Sequence, residues 1–253
     1  MTGITSRKWL DFLKQVAAAR KKLGNPEVLW YRGHHNAEFN LLASLLRFEN
    51  GLAREEDLFA NFRKFSDRIF GRRESEWETL FEMQHYGIPT RLLDWSETFG
   101  VALFFAVRYN QSDYPTKDAA IYLLDPLKLS SRIGREDVVR LPDDERGFGY
   151  QEIYWKHKPF RATAPIALEP IFFNERMRAQ RGVFTVHDDD TRPLEDKFAD
   201  SIKKVILPNE AISAAKEFLE LSSINIFTVF PDLAGIGEFL KNTSKLKRRP
   251  LKT

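Results

Sequence analysis

The chain of 253 residues is 43% apolar and 13% aromatic, enough to build a hydrophobic core in one large domain or two small ones. It has no cysteine, which excludes disulfides, thiolate nucleophiles, iron–sulfur clusters and cysteine zinc sites; no apolar run approaches the roughly 18 residues of a membrane span and no leader stands at Met1, so a cytoplasmic protein with no membrane partner is expected. The formal charge of +3 is uneven: residues 241–253 (KNTSKLKRRPLKT) carry six basic side chains and no acid, and taking those six from +3 leaves the first 240 residues at −3.

Apolar positions Trp9, Leu10, Leu13, Val16 and Ala17 recur at helical spacing and predict an N-terminal helix over 6–22, with Ser6 as cap and Gly24 as stop. Residues 27–31, rich in β-branched and aromatic side chains, predict a buried strand that delivers Arg32 to its end. A helical insertion follows over about 40–86, with Leu58, Phe62, Phe65 and Ile69 as one packing stripe and Trp77, Leu80, Phe81 and Gln84 as a second. Residues 87–90 (GIPT) break that helix, 91–96 form a bridge, and 99–107 predict a buried helix capped by Asp94 or Ser96. Strands are expected at 119–124, 168–173, 182–187 and 202–207, 224–230 is a further short apolar run, and helices are capped by Asn209 and Asp232. The stretch 130–167 is weakly periodic and reads as loops or an insertion. Without a regular βαβ period, the expectation is an α+β fold: a central mixed or antiparallel sheet, an inserted helical segment and flanking helices in a single domain over 1–240, followed by the basic tail 241–253.

Residues 83–96 (MQHYGIPTRLLDWS) crowd polar and ionisable groups around a glycine–proline turn between apolar elements. Polar groups are costly to bury unless they pair with one another or with a ligand. The turn is either self-contained, with Arg91 paired to Asp94, Thr90 and Ser96 capping and His85 on backbone, or it faces a ligand. Arg32 ahead of Gly33 suits a phosphate or carboxylate, with a salt bridge to Asp94 or Glu38 as the alternative. In the segment 176–187, Gln180 suits a sugar hydroxyl or carboxamide, unless Gly182 only marks a bulge.

Other patterns are weaker. His187 and Asp188 to Asp190 have metal-ligand chemistry, but consecutive carboxylates cannot all point inward, and no metal is predicted. His34 and His35 point two ways and make a poor chelator. His157 reads as a surface residue. Phosphate-cradling loops of the GxxxxGKS/T and GxGxxG types, the GxSxG elbow and HExxH are absent.

Taken together, residues 31–33 (YRG), 43–47 (ASLLR), 84–96 (QHYGIPTRLLDWS), 102–106 (ALFFA), 180–185 (QRGVFT) and 230–235 (FPDLAG) resemble the FRG-domain family, named for its Phe/Tyr-Arg-Gly tripeptide, over about 30–240. Ser96 stands where threonine is frequent. The layout of that family is similar to NAD-dependent ADP-ribosyltransferase folds, an analogy of fold. The resemblance implies NAD as cofactor, with Arg32, His85, Asp94 and Gln180 as catalytic candidates and Arg32, Gly33, Thr90, Arg91, Trp95 and Ser96 as the binding set. Arg32 and Arg91 would clamp phosphates, and Asp94 or Glu169 would oppose positive charge developing as nicotinamide leaves. Gln180 is neutral where those enzymes commonly use glutamate.

The leading expectation is therefore a nucleotide-dependent effector, an NAD-consuming enzyme of bacterial toxin or anti-phage type. Its partners would be a nucleotide or other anionic ligand and an antitoxin or protein target. A non-catalytic nucleic-acid-binding module is the first alternative, from the basic tail and from Trp155 beside Lys156 and Lys158. A metal-dependent nuclease is the second, and requires Asp94, Glu169 and Asp188 to converge.

Overall fold

The computed structural model describes residues 3–70, 75–108, 117–141, 147–158, 162–172 and 174–244. The basic segment from residue 245 onward lies outside them. Helix α1 (Arg7–Lys22) opens under the Ser6 cap, whose side chain accepts from the Trp9 amide. Strand β1 (Trp30–His34) is followed by helices α2 (Gly51–Phe70) and α3 (Glu76–His85), the latter started by a reciprocal Ser75–Glu78 capping box. Strand β2 (Leu92–Ser96) leads into α4 (Phe99–Val107), then β3 (Ala119–Leu124) and the short helix α5 (Pro126–Ser130). The weakly periodic stretch holds β4 (Val139–Arg140), α6 (Tyr150–Tyr154) and β5 (Ile166–Glu169). Helix α7 (Glu175–Gln180), β6 (Gly182–Val186), α8 (Leu194–Lys197) and β7 (Ile202–Leu207) follow, and α9 (Ile212–Leu221), α10 (Ile226–Val229) and α11 (Leu233–Thr243) end the described chain.

The seven strands form one sheet in the order β4-β5-β6-β2-β1-β3-β7, antiparallel except for the β4–β5 pair. This is an α+β fold with a mixed sheet. Side chains alternate across it, so one face of β1 and β3 sends Tyr31, Ile121 and Leu123 against α1, α4 and α9, while the other sends Trp30, Tyr122 and Leu124 into a second core with Leu93 and Trp95. A third core gathers Trp77, Leu80 and Phe81 of α3, Leu92 of β2, Phe184 and Val186 of β6, and the α6 aromatics.

Several local readings change. β1 begins and ends three residues later than expected, so Arg32 sits in mid-strand opposite Tyr122 instead of at a strand end. The polar bridge 91–96 is largely β2, and the N-cap position of α4 is Thr98, whose side chain makes no capping bond, instead of Asp94 or Ser96. Residues 226–229 are helical, because the Asn225 side chain accepts from the amides of both Phe227 and Thr228 and so starts a helical turn. The expected packing stripe of α2 is incomplete: Phe65 and Ile69 are exposed.

A candidate cleft at a break between the central strands

The sheet is continuous on both sides of its centre. β1 pairs with β3 through five residues and β2 with β6 through five, but β1 and β2 are in register only at Tyr31 opposite Ser96. Strand alternation puts Arg32 on the second-core face with Trp30 and His34, and Asp94 on the opposite face. They meet because the ladder does not continue past Tyr31. The Arg32 guanidinium occupies the break, donating from Nη1 to the Asp94 carbonyl oxygen (2.5 Å) with the Asp94 carboxylate 3.7 Å away.

A cleft of about 240 Å³ opens over this break. Much of its lining is apolar, with Tyr31, Phe81, Phe105, Met177 and Phe184 among the side chains that face it. Three helices supply its walls through residues one turn apart: Phe81, Gln84 and His85 from α3, Val101, Ala102 and Phe105 from α4, and Arg176, Met177 and Gln180 from α7. The helix placement rests on tight contact. A Cβ on Gly33 would lie 1.8 Å from the Ala102 carbonyl oxygen, so only glycine lets α4 settle on β1. Gly235 answers the same need at the start of α11, where a Cβ would meet the Phe230 carbonyl oxygen at 1.8 Å.

Of the residues singled out in the sequence, Arg32, Gly33, His85, Asp94, Trp95, Ser96 and Gln180 line this cleft, and Thr90 and Arg91 do not. Asp94 is half exposed and held by Gln84 Nε2, which donates to its Oδ2 at 2.8 Å. Thr90 stands behind Gln84: its hydroxyl donates to Gln84 Oε1 at 2.7 Å and accepts from the Leu92 amide. Thr90 therefore fixes the amide that fixes Asp94. The Ser96 hydroxyl donates to the Gln180 carbonyl oxygen and accepts from the Thr98 amide, and Trp95 Nε1 donates to Thr185, so both polar groups tie elements together. Gln180 Nε2 donates to the Val229 carbonyl oxygen at 3.1 Å.

Arg91 corrects the expected phosphate clamp. It is 3% exposed, bonded to both Glu55 carboxylate oxygens at 2.9 Å and to Asp189 at 2.7 Å, with Tyr154 beneath its guanidinium. Tyr150 also donates to Glu55. Burial is the largest single influence and opposes its charge, but Glu55, Tyr150 and Asp189 together outweigh it and raise its pKa above the ordinary arginine value. Glu169 is also elsewhere, paired with Arg140 at 3.1 Å.

Electrostatics separates the cleft residues. Burial lowers the Arg32 pKa against the opposing pull of Asp94. The His85 pKa is lowered by burial and by Arg176, with Asp232 opposing. Arg176 lies over the Phe230 ring at 4.5 Å, and Arg108 lies at the same distance from that ring. The segment 229–232 thus seats Gln180 and Arg176.

Sequence reasoning read Gln84 as a packing residue, set His34 aside as a poor chelator and gave Arg176 no role of its own. The Gln84 signal was its position one helical turn from Phe81 beside His85; the His34 signal was its separation of two from Arg32, which places both on one strand face. Asp94, Glu169 and Asp188 do not converge: Asp188 is buried against Lys197, and among the described residues no three His, Asp or Glu form a metal-holding group. Trp155 is no exposed stacking platform, since it packs edge-on against Phe59 and Tyr150, and Lys156 pairs with Glu152. No helix among the described residues is long and apolar enough to cross a membrane.

The fold and cleft define an α+β protein with a small polar site at a split in its sheet. Residues 27–114 match the family model described as the FRG domain. The match takes in β1, α3, β2 and α4, while the α7 wall and the segment 229–232 lie beyond it. No curated protein and no solved structure matches the chain.

Proposed function

We propose that the cleft binds a nucleotide, that NAD is this nucleotide, and that the chain is an NAD-consuming enzyme of ADP-ribosyltransferase type. The observation that carries the reading is the meeting of the Arg32 guanidinium and the Asp94 carboxylate at the β1–β2 break, in a cleft lined with aromatic side chains. A flat ring suits such a lining, and a guanidinium suits a phosphate oxygen. The volume falls below the roughly 300 Å³ at which drug-sized pockets begin. The enclosed part therefore fits one ring and its sugar, and the rest of a dinucleotide would extend beyond it.

NAD supplies a glycosidic bond whose cleavage sends the bonding electron pair out with nicotinamide, while an acceptor bonds the ribose carbon and releases its proton. Asp94, held by Gln84, places negative charge where positive charge develops, and Arg32 and Arg176 hold the anionic part. Gln180 is too constrained by Val229 and too neutral to share the charge role.

Isothermal titration with NAD and an assay for released nicotinamide test this reading. Wild type should bind and release nicotinamide. Asp94→Asn should retain binding within about threefold and lose at least about 100-fold in release, in line with losing one electrostatic group. Arg32→Ala should weaken binding by tenfold or more while leaving a cooperatively folding protein. Absence of both binding and release in wild type overturns the proposal.

A further inference from the structure

We infer that His34 is a positioning residue for Arg32: a neutral imidazole whose bare Nε2 holds the guanidinium in the break between β1 and β2. The inference rests on the nucleotide reading for its functional consequence and on geometry alone for the pairing. Arg32 Nε donates to His34 Nε2 at 3.0 Å. A guanidinium nitrogen has no acceptor capacity, so Nε2 must be unprotonated and the imidazole proton must sit on Nδ1. The Phe39 carbonyl oxygen stands 3.2 Å from that Nδ1 and receives its hydrogen. The same oxygen accepts from the Tyr122 hydroxyl at 2.9 Å, and Tyr122 is the β3 residue directly opposite Arg32.

The ring is fixed from two further directions, edge-on to Tyr122 at 5.2 Å and to Phe39 at 6.3 Å between centroids. His34 is buried, and burial together with the Arg32 charge lowers its pKa to about 3, with the charges of Arg47 and His35 acting in the same sense and the Phe39 bond opposing. The imidazole is therefore a constant acceptor throughout the neutral range.

The consequence is directional. Nε is engaged behind the sheet by His34 and Nη1 in front by Asp94, so the two bonds set the plane of the fork, and with it the direction in which the remaining nitrogen can meet an anion. Free rotation of that fork would have to be stopped at each binding event, which is the cost that preorganisation removes.

The test combines spectroscopy with binding. In ¹⁵N-detected NMR of wild type, His34 should show a protonated Nδ1 and a bare Nε2, and the Arg32 Nε–H should exchange slowly. His34→Leu, which removes the acceptor, should speed that exchange and raise the Kd for NAD at least tenfold. His34→Gln, whose side-chain oxygen can accept, should stay within about threefold of wild type. An Nε2-protonated or charged His34 in wild type overturns the inference whether or not NAD binds, so it stands or falls separately from the nucleotide reading. If Arg32→Ala loses NAD and His34→Leu does not, the inference also fails. Should His34→Leu not fold, the tautomer and His34→Gln decide.

Discussion

Two arginines at the centre of this fold do opposite things, and the difference lies in what surrounds each guanidinium. Arg32 is 22% exposed, with a half-exposed carboxylate 3.7 Å away. Arg91 is enclosed by Glu55, Asp189, the Tyr154 ring and the Tyr150 hydroxyl bound to Glu55. Removing one member of a buried pair strands the other without water or counterion, which costs about 3–5 kcal/mol. Arg91→Ala, which strands Glu55, should therefore lower the unfolding free energy by about that amount, and Glu55→Ala should lower it less, because Arg91 keeps Asp189. A double variant should recover part of the loss. Urea unfolding at neutral pH measures all three; a loss below about 1 kcal/mol for Arg91→Ala would show that the network is dispensable. From sequence, Arg91 and Arg32 looked alike as basic residues beside apolar runs. Glu55 and Asp189, the partners that separate them, lie 36 and 98 residues from Arg91 and left no local pattern.

At the level of elements, periodicity located most helices and strands, and it failed where a capping side chain or a long-range pairing decided the outcome. Residues 119–124 and 202–207 stand where their β-rich runs put them, because they pair with each other in full register. The run 224–230 is equally apolar, yet the Asn225 cap makes residues 226–229 helical. β2 was hidden because its inward and outward residues face two different cores and a cleft, so no clean alternation appears in Leu92–Ser96. The polar part of the cleft was largely legible as residue types, since seven of the residues singled out in advance line it, but the packing of α7 against the strands required the fold. The β1–α4 contact offers a direct test of how strictly that fold is set. Gly33→Ala would place a methyl 1.8 Å from the Ala102 carbonyl oxygen, which rigid backbone cannot absorb. The helix must lift, at about 3 kcal/mol by the measure of overpacked cores. The melting temperature should fall and ligand binding should weaken with it, since Val101, Ala102 and Phe105 ride on α4. A variant as stable as wild type would mean that α4 is free to slide.

Across the whole molecule, two buried histidines on opposite halves of the sheet make stability depend on pH. His34 lies on β1, and His187 follows β6 with its amide bonded to the Arg91 carbonyl oxygen. His187 is 1% exposed, and its Nε2 has no hydrogen-bond partner. Burial lowers its pKa to about 3, and the charges of Lys197, Arg32, Arg91 and Arg47 act in the same direction. In the unfolded chain both imidazoles titrate near 6.5. Above that value neither state binds the protons and the histidines are neutral in both. Between pH 6.5 and about 3 the unfolded chain takes up protons that the folded chain refuses, so stability is lost as pH falls. Each histidine contributes a slope of up to about 1.4 kcal/mol per pH unit, and the two together about 2.7. Urea midpoints measured from pH 7.5 to 4 should hold steady down to about 6.5 and then fall steeply. His187→Leu should flatten part of that fall, as should His34→Gln, and the double variant should flatten it further. The two effects should add, because the residues share no hydrogen bond, although both feel the charge of Arg32. Midpoints independent of pH down to 4 would contradict the burial of both rings. A fall unchanged in the double variant would place its origin in the carboxylates instead.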